Sequence, residues 1–126
     1  MAQIKKILNR LAKEHKAQGE LFVVFNNDKQ MSSLNYQFKK KNRPTDVLAF
    51  NLAENTANNY IEGEIYVNLQ IAKRQAAEYE ATYLEEVIRL CLHGFLHLLG
   101  YDDLNTNAKK EMWIIQENYL TSFKEH

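Results

Sequence analysis

At 126 residues, 45% apolar and 25% charged, the chain can fill one core but not two, so residues 1–126 are expected to form a single domain. Sixteen basic and sixteen acidic side chains cancel, which excludes a global basic field for nucleic acid; any RNA contact has to be local. The apolar runs fall far short of the roughly 20 residues that span a bilayer, and the single Cys91 excludes an internal disulfide.

In chain order, Ile4, Ile7, Leu8 and Leu11 recur at i, i+3, i+4, i+7 and predict an amphipathic helix, with Gly19 as its stop. The same stretch lacks a continuous apolar region and a small-residue cleavage site, so it reads as structure and not as an export signal. A cytoplasmic location is expected, in keeping with a buried, inert thiol at Cys91. Residues 20–25 are nearly all apolar and are closed by Asn26-Asn27-Asp28, predicting a strand covered on both faces inside a sheet. Met31, Leu34, Asn35 and Phe38 return to helical spacing. The basic loop Lys39-Lys40-Lys41-Asn42-Arg43 follows, and Pro44 ends any helix.

Residues 46–52 alternate Leu48, Phe50 and Leu52 against smaller or polar neighbours, a second strand. After a polar loop over 54–59, residues 63–68 predict a third strand, and the pattern is helical from Leu69 to about Glu80. Thr82-Tyr83-Leu84-Glu85 has capping-box spacing and opens a long apolar helix that Gly100 should end as its C′ residue. A last helix is expected from about Asn107, with Met112, Ile115 and Tyr119 on one stripe.

On the wheel of the long helix, Leu84, Ile88, Cys91, Phe95 and Leu98 gather on one side, with His93 and His97 opposite. Histidines at i and i+4 project side by side, close enough to bind one ion. Gly100 lets the chain reverse, so that Asp102 or Asp103 can swing back as a third ligand. Three protein ligands leave room for water, the mark of a catalytic ion. An isolated i, i+4 histidine pair is more often a surface pair, so the argument rests on the whole string from His93 to Asp103. Gly94 stands where H-E-x-x-H metalloproteases carry their general base, which argues against peptide hydrolysis. Glu86 lies about 10 Å before His93 along nearly the same face. It either orients a ligand and caps the cleft or is a solvated helix carboxylate.

The string His93-Gly94-Phe95-Leu96-His97-Leu98-Leu99-Gly100-Tyr101-Asp102-Asp103 closely resembles the H-G-x-L-H-L-x-G-Y-D-H signature of the YbeY family, bacterial endoribonucleases of ribosomal RNA maturation. Leu34-Asn35, Phe38-Lys39, Lys41 and residues 44–50 are similar to a second family block, and Gly63-Glu64-Ile65 to its G-[DE]-I strand. The resemblance implies a zincin-like α+β fold, a small mixed sheet flanked by helices. It also implies a Zn²⁺ ion on His93, His97 and Asp103, and ribosomal RNA and the small ribosomal subunit as partners.

Two positions depart from the family pattern. Asp103 replaces the usual third histidine, with Asp102 as the fallback ligand and otherwise a turn acceptor. A carboxylate remains a legitimate ligand, though its charge makes an ion-bound water less acidic and opens the site to Fe²⁺, Mn²⁺ or Ni²⁺. Lys39 replaces a catalytic-loop arginine, keeping the charge but losing bidentate phosphate recognition. The rival readings are a ribosome assembly factor with a structural metal and a metal-dependent hydrolase of another substrate.

Overall fold

The computed structural model describes residues 2–41 and 43–125; Asn42, placed in the basic loop by the sequence, lies outside the described residues. Helix α1 (Ala2–Glu14) leads into strand β1 (Gln18–Asn26), followed by α2 (Asp28–Lys39) and β2 (Val47–Asn51). Strand β3 (Tyr60–Asn68) runs directly into α3 (Leu69–Glu78), before α4 (Tyr83–Leu98) and α5 (Thr106–Lys124). The sheet order is β1-β3-β2, with β1 parallel and β2 antiparallel to β3. The result is the expected α+β fold with a small mixed sheet flanked by helices. Among the described residues, no helix is long and apolar enough to cross a membrane.

The interior strand is β3, and the expectation that β1 lies inside the sheet is corrected: it is an edge strand. Its apolar run divides between two environments. Leu21, Val23 and Phe25 pack on the core, whereas Phe22 is 59% and Val24 39% exposed on the other face. Only part of that outer face is covered, where Phe38 of α2 stacks on Phe50 and Phe50 meets Tyr66 edge-on.

Gly19 does not stop α1. The helix closes at Lys16 in the left-handed conformation, with Ala17 N–H donating to the Ala12 carbonyl. Gly19 sits instead inside β1, where an added Cβ would come within 1.9 Å of the Ile61 carbonyl oxygen. Helix α3 likewise ends before Glu80, which is left-handed and lets Ala81 N–H reach the Ala76 carbonyl.

The predicted capping box opens α4: Thr82 accepts from Glu85 N–H, and the Glu85 carboxylate accepts from Thr82 N–H. At the other end Gly100 is the C′ residue, at φ +104°. Gly100 N–H donates to His97 and Tyr101 N–H to Leu96, both at 3.1 Å, which reverses the chain. In between, α4 is no one-sided amphipathic helix. Val87, Leu90, Leu92 and Leu96 are buried along with Ile88, Cys91 and Phe95, because α3 and α5 cover the flanks that the sheet leaves open. Cys91 is fully buried, and burial pushes its thiol up to about 12, so it is inert as read.

Gly94 sets how closely α4 lies on the sheet. An added Cβ would stand 2.8 Å from Ile65 Cγ2 and 3.1 Å from Val47 Cγ2, with Ile65 fully buried and unable to yield. In an open helix, alanine would gain about 1 kcal/mol over glycine. Overpacking here costs about 1–3 kcal/mol, and the structure has to shift to relieve it. Gly94→Ala is therefore expected to lower stability in urea denaturation, against the sign of helix propensity.

Candidate metal centre

His93 and His97 stand one turn apart near the C-terminal end of α4, both half-buried, and the Gly100 turn brings the exposed Asp103 back to them. Their ligating atoms lie within 4.8 Å of one another. The two Nε2 atoms face each other at 3.2 Å. Two nitrogens each bonded at ~2.0–2.1 Å to one tetrahedral ion would sit roughly 3.3 Å apart, so the pair has the spacing a shared ion requires. Asp102 is engaged elsewhere, its Oδ1 accepting from Leu104 N–H at 3.2 Å, the turn role the sequence offered for it. The group fits a divalent cation chemically: two imidazoles and one carboxylate, with solvent on the carboxylate side.

The tautomer of His93 follows from a chain of hydrogen bonds that begins inside α4. Glu86 is fully buried and pairs with Arg89, whose guanidinium forks onto both carboxylate oxygens of Glu117 on α5, each at 2.9 Å. A carboxylate only accepts, so the Gln116 amide nitrogen donates to Glu117 at 3.0 Å and the amide oxygen has to face the other way. That oxygen lies 2.8 Å from His93 Nδ1. His93 therefore donates from Nδ1 and turns its Nε2 toward His97.

Burial pushes the His97 imidazolium down in pKa, helped by the charges of His93 and Lys39. Asp103 and a backbone hydrogen bond at Tyr101 oppose it. The net direction favours the neutral imidazole, the form a metal needs. Lys39 is exposed at the end of α2, near enough for its charge to be felt at His97. The basic loop after it is tethered: Lys40 is left-handed, Lys41 N–H reaches the Asn35 carbonyl, and the buried Asn35 amide donates to the Arg43 carbonyl at 3.0 Å.

Of the roles expected for Glu86, the solvated carboxylate is overturned, and it reaches a candidate ligand only through Arg89. It is not solvated, and its partner is Arg89 and not a candidate ligand. Burial raises its carboxyl, with Arg89 pulling the other way, and its Oε2 has no hydrogen-bond partner. Sequence reasoning missed Gln116, Glu117, Arg89 and the tethering Asn35. A signal existed for Gln116, which falls between Met112 and Leu120 at i+4 steps, a polar residue in an apolar stripe.

Outer partners of this kind contribute about 10–100-fold to metal affinity. Gln116→Leu, which keeps volume but releases His93 Nδ1, is expected to weaken Zn²⁺ binding by about that factor in competition with a chromogenic chelator, with the helical circular dichroism retained.

The sequence pattern of the family Endoribonuclease YbeY matches residues 1–124. Endoribonuclease YbeY of Shouchella clausii is 35% identical, over 95% of this chain and 83% of its own length. That of Aquifex aeolicus is 38% identical, over 82% and 69% respectively. A Thermotoga maritima protein solved in solution superposes with a TM-score of 0.71 at 32% identity, covering 97% of this chain and 79% of its own. With the fold, the whole-chain match and the grouped histidines in agreement, the chain belongs to the YbeY endoribonuclease family.

Proposed function

We propose that this protein is a metal-dependent endoribonuclease that cleaves ribosomal RNA in the cytoplasm, during maturation and quality control of the small ribosomal subunit. Its ion is held by His93, His97 and Asp103. The observation that carries the reading is the convergence of two imidazole Nε2 atoms at 3.2 Å with the Asp103 carboxylate, in a chain of an endoribonuclease family. Zn²⁺ is the preferred ion, and the carboxylate admits Fe²⁺, Mn²⁺ or Ni²⁺. A divalent cation bound there supplies Lewis-acid polarisation of a phosphodiester and lowers the pKa of water.

The chain's own residues do the rest. Gln116 fixes the His93 ring, and the Gly100 turn delivers Asp103. Lys39 acts as the phosphate-binding catalytic residue, offering a point charge from the end of α2, where the loop that Asn35 tethers begins. Peptide hydrolysis is disfavoured on geometry as well as on sequence. Position 94 faces Ile65 and Val47 of the sheet, so a general base placed there would be driven into the core.

Metal-loaded protein is expected to cleave a structured ribosomal RNA fragment and to leave a peptide intact. Both His97→Ala and a chelator should abolish the cleavage. Cleavage that survives the two controls would come from a contaminant and would remove the proposal. Metal content separates the two aspartates: Asp103→Ala is expected to lose the ion and Asp102→Ala to keep it, and the reverse result would move the third ligand to Asp102.

A further inference from the structure

A cavity of about 420 Å³ opens beside the metal centre, among the end of α3, the first half of α4 and the start of α5. His93 and Asp103 form one side of it. Across from them stand two half-exposed rings, Tyr79 and Trp113, with centroids 6.2 Å apart and planes inclined at 37°. Arg89 packs against both, its guanidinium carbon 4.5 Å from the Tyr79 centroid and 5.8 Å from that of Trp113. Because Arg89 is itself gripped by Glu86 and Glu117, the rings are held as a fixed wall. Lys109 and Lys110 stand exposed at the rim.

The lining also contains an unmet demand. Glu86 is fully buried and borders this cavity. Arg89 occupies its Oε1, and its Oε2, without a partner among the described residues, is sealed from the open space. Asp46 borders the same space: its Oδ1 accepts from Val47 N–H at 2.8 Å, and its Oδ2 has a long 3.5 Å contact from Gln75 that leaves room for a further donor. An aromatic wall, an Asp46 carboxylate oxygen that can only accept, and a basic rim describe a site for a planar ligand with N–H donors and a phosphate attached.

We propose that this cavity takes one base of the RNA, stacked on the Tyr79–Trp113 wall, and prefers a base with an exocyclic amine over uracil. The proposal rests on the reading that the substrate is RNA. Adenine, cytosine and guanine each bring an amine that a carboxylate accepts. Uracil sets carbonyl oxygens on both sides of its single donor, so it would bring lone pairs against Asp46. With the base seated, Lys109 and Lys110 meet its backbone on the outside. His93 and Asp103 line the same cavity, so the neighbouring phosphodiester falls at the metal centre. The subsite would thus select which bond is presented.

Trp113 is the only tryptophan in the chain, so intrinsic fluorescence reports on this wall alone. Metal-loaded protein is titrated with 2′-O-methyl hexamers of adenylate, cytidylate and uridylate. The adenylate and cytidylate hexamers are expected to quench Trp113 at concentrations at least fivefold lower than the uridylate hexamer. Tyr79→Ala, a truncation at an exposed position, should raise those concentrations at least fivefold with the melting temperature unchanged. Asp46→Asn, which turns an acceptor-only group into one that also donates, should narrow the gap to uridylate, provided its melting curve shows a folded protein. Equal quenching by all three hexamers, no quenching, or an indifferent Tyr79→Ala would each overturn the subsite. Cleavage of ribosomal RNA is followed in parallel. Cleavage without quenching removes the subsite alone, whereas base-selective quenching without cleavage supports the subsite and removes the hydrolase reading.

Discussion

A carboxylate in the middle of a buried helix has to be neutralised where it stands, and Glu86 imposes that condition on α4. An unpaired buried charge costs several kcal/mol, so Arg89, one turn on, is drawn to it. Its guanidinium has more donors than Glu86 can use, and the surplus forks onto Glu117 of α5. Glu117 then dictates which way the neighbouring Gln116 amide points, and the amide dictates the tautomer of His93. Each step follows from who can donate and who can only accept. Removing the middle partner of such a chain leaves a buried charge uncompensated, at about 3–5 kcal/mol. The orientation of one imidazole thus depends on an ion pair formed two turns earlier along the same helix.

The second constraint is steric. Gly94 lets α4 settle onto Ile65 and Val47, and the same contact fixes the rotation of the helix about its axis. With position 94 turned into the sheet, His93 turns to Gln116 of α5, and His97 one turn later sits beside it. A larger residue at 94 would lift the helix and disturb the alignment on which the Nε2–Nε2 spacing depends. Gly63 does similar work on the facing strand, where an added Cβ would stand 2.6 Å from Leu98 Cδ1. The metal centre and the core packing are set by one interface.

Much of this was legible in the sequence, for local reasons. The capping box at Thr82 and the Gly100 stop are short-range signals, and they bracket α4 as read. The return of Asp103 followed from Gly100, since a C′ glycine redirects the chain over a few residues. What could not be read depended on partners distant in sequence. The apolar run of β1 looks the same whether a strand is interior or at an edge. Only the pairing with β3 distinguishes them. Gly19 resembles a helix stop until β3 is laid against it. Glu86 has the wheel position of a solvated carboxylate, and it is buried only because elements on both sides of α4 close over it. Residues reading as structurally neutral in one dimension turned out to hold the histidines in place.

The two departures from the family pattern act on one electrostatic balance. In the proposed ligand set, Asp103 sets a negative charge where an imidazole would be neutral, so a divalent ion retains one net positive charge in place of two. Its Coulombic pull on a phosphodiester falls by about half at equal distance. Lys39 keeps the positive charge of the arginine it replaces, and its effect at His97 opposes that of Asp103. On the proposed reading, substrate attraction moves outward, from the ion to Lys39 at the end of α2 and to Lys40, Lys41 and Arg43 in the loop after it. That loop is exposed, where charges are screened over about 8–10 Å at ordinary salt, while a partly enclosed ion is screened less. The tether from Asn35 to Arg43 therefore matters more here than it would beside a three-imidazole site. A point charge that must do part of the ion's work has to be held where the phosphate will arrive.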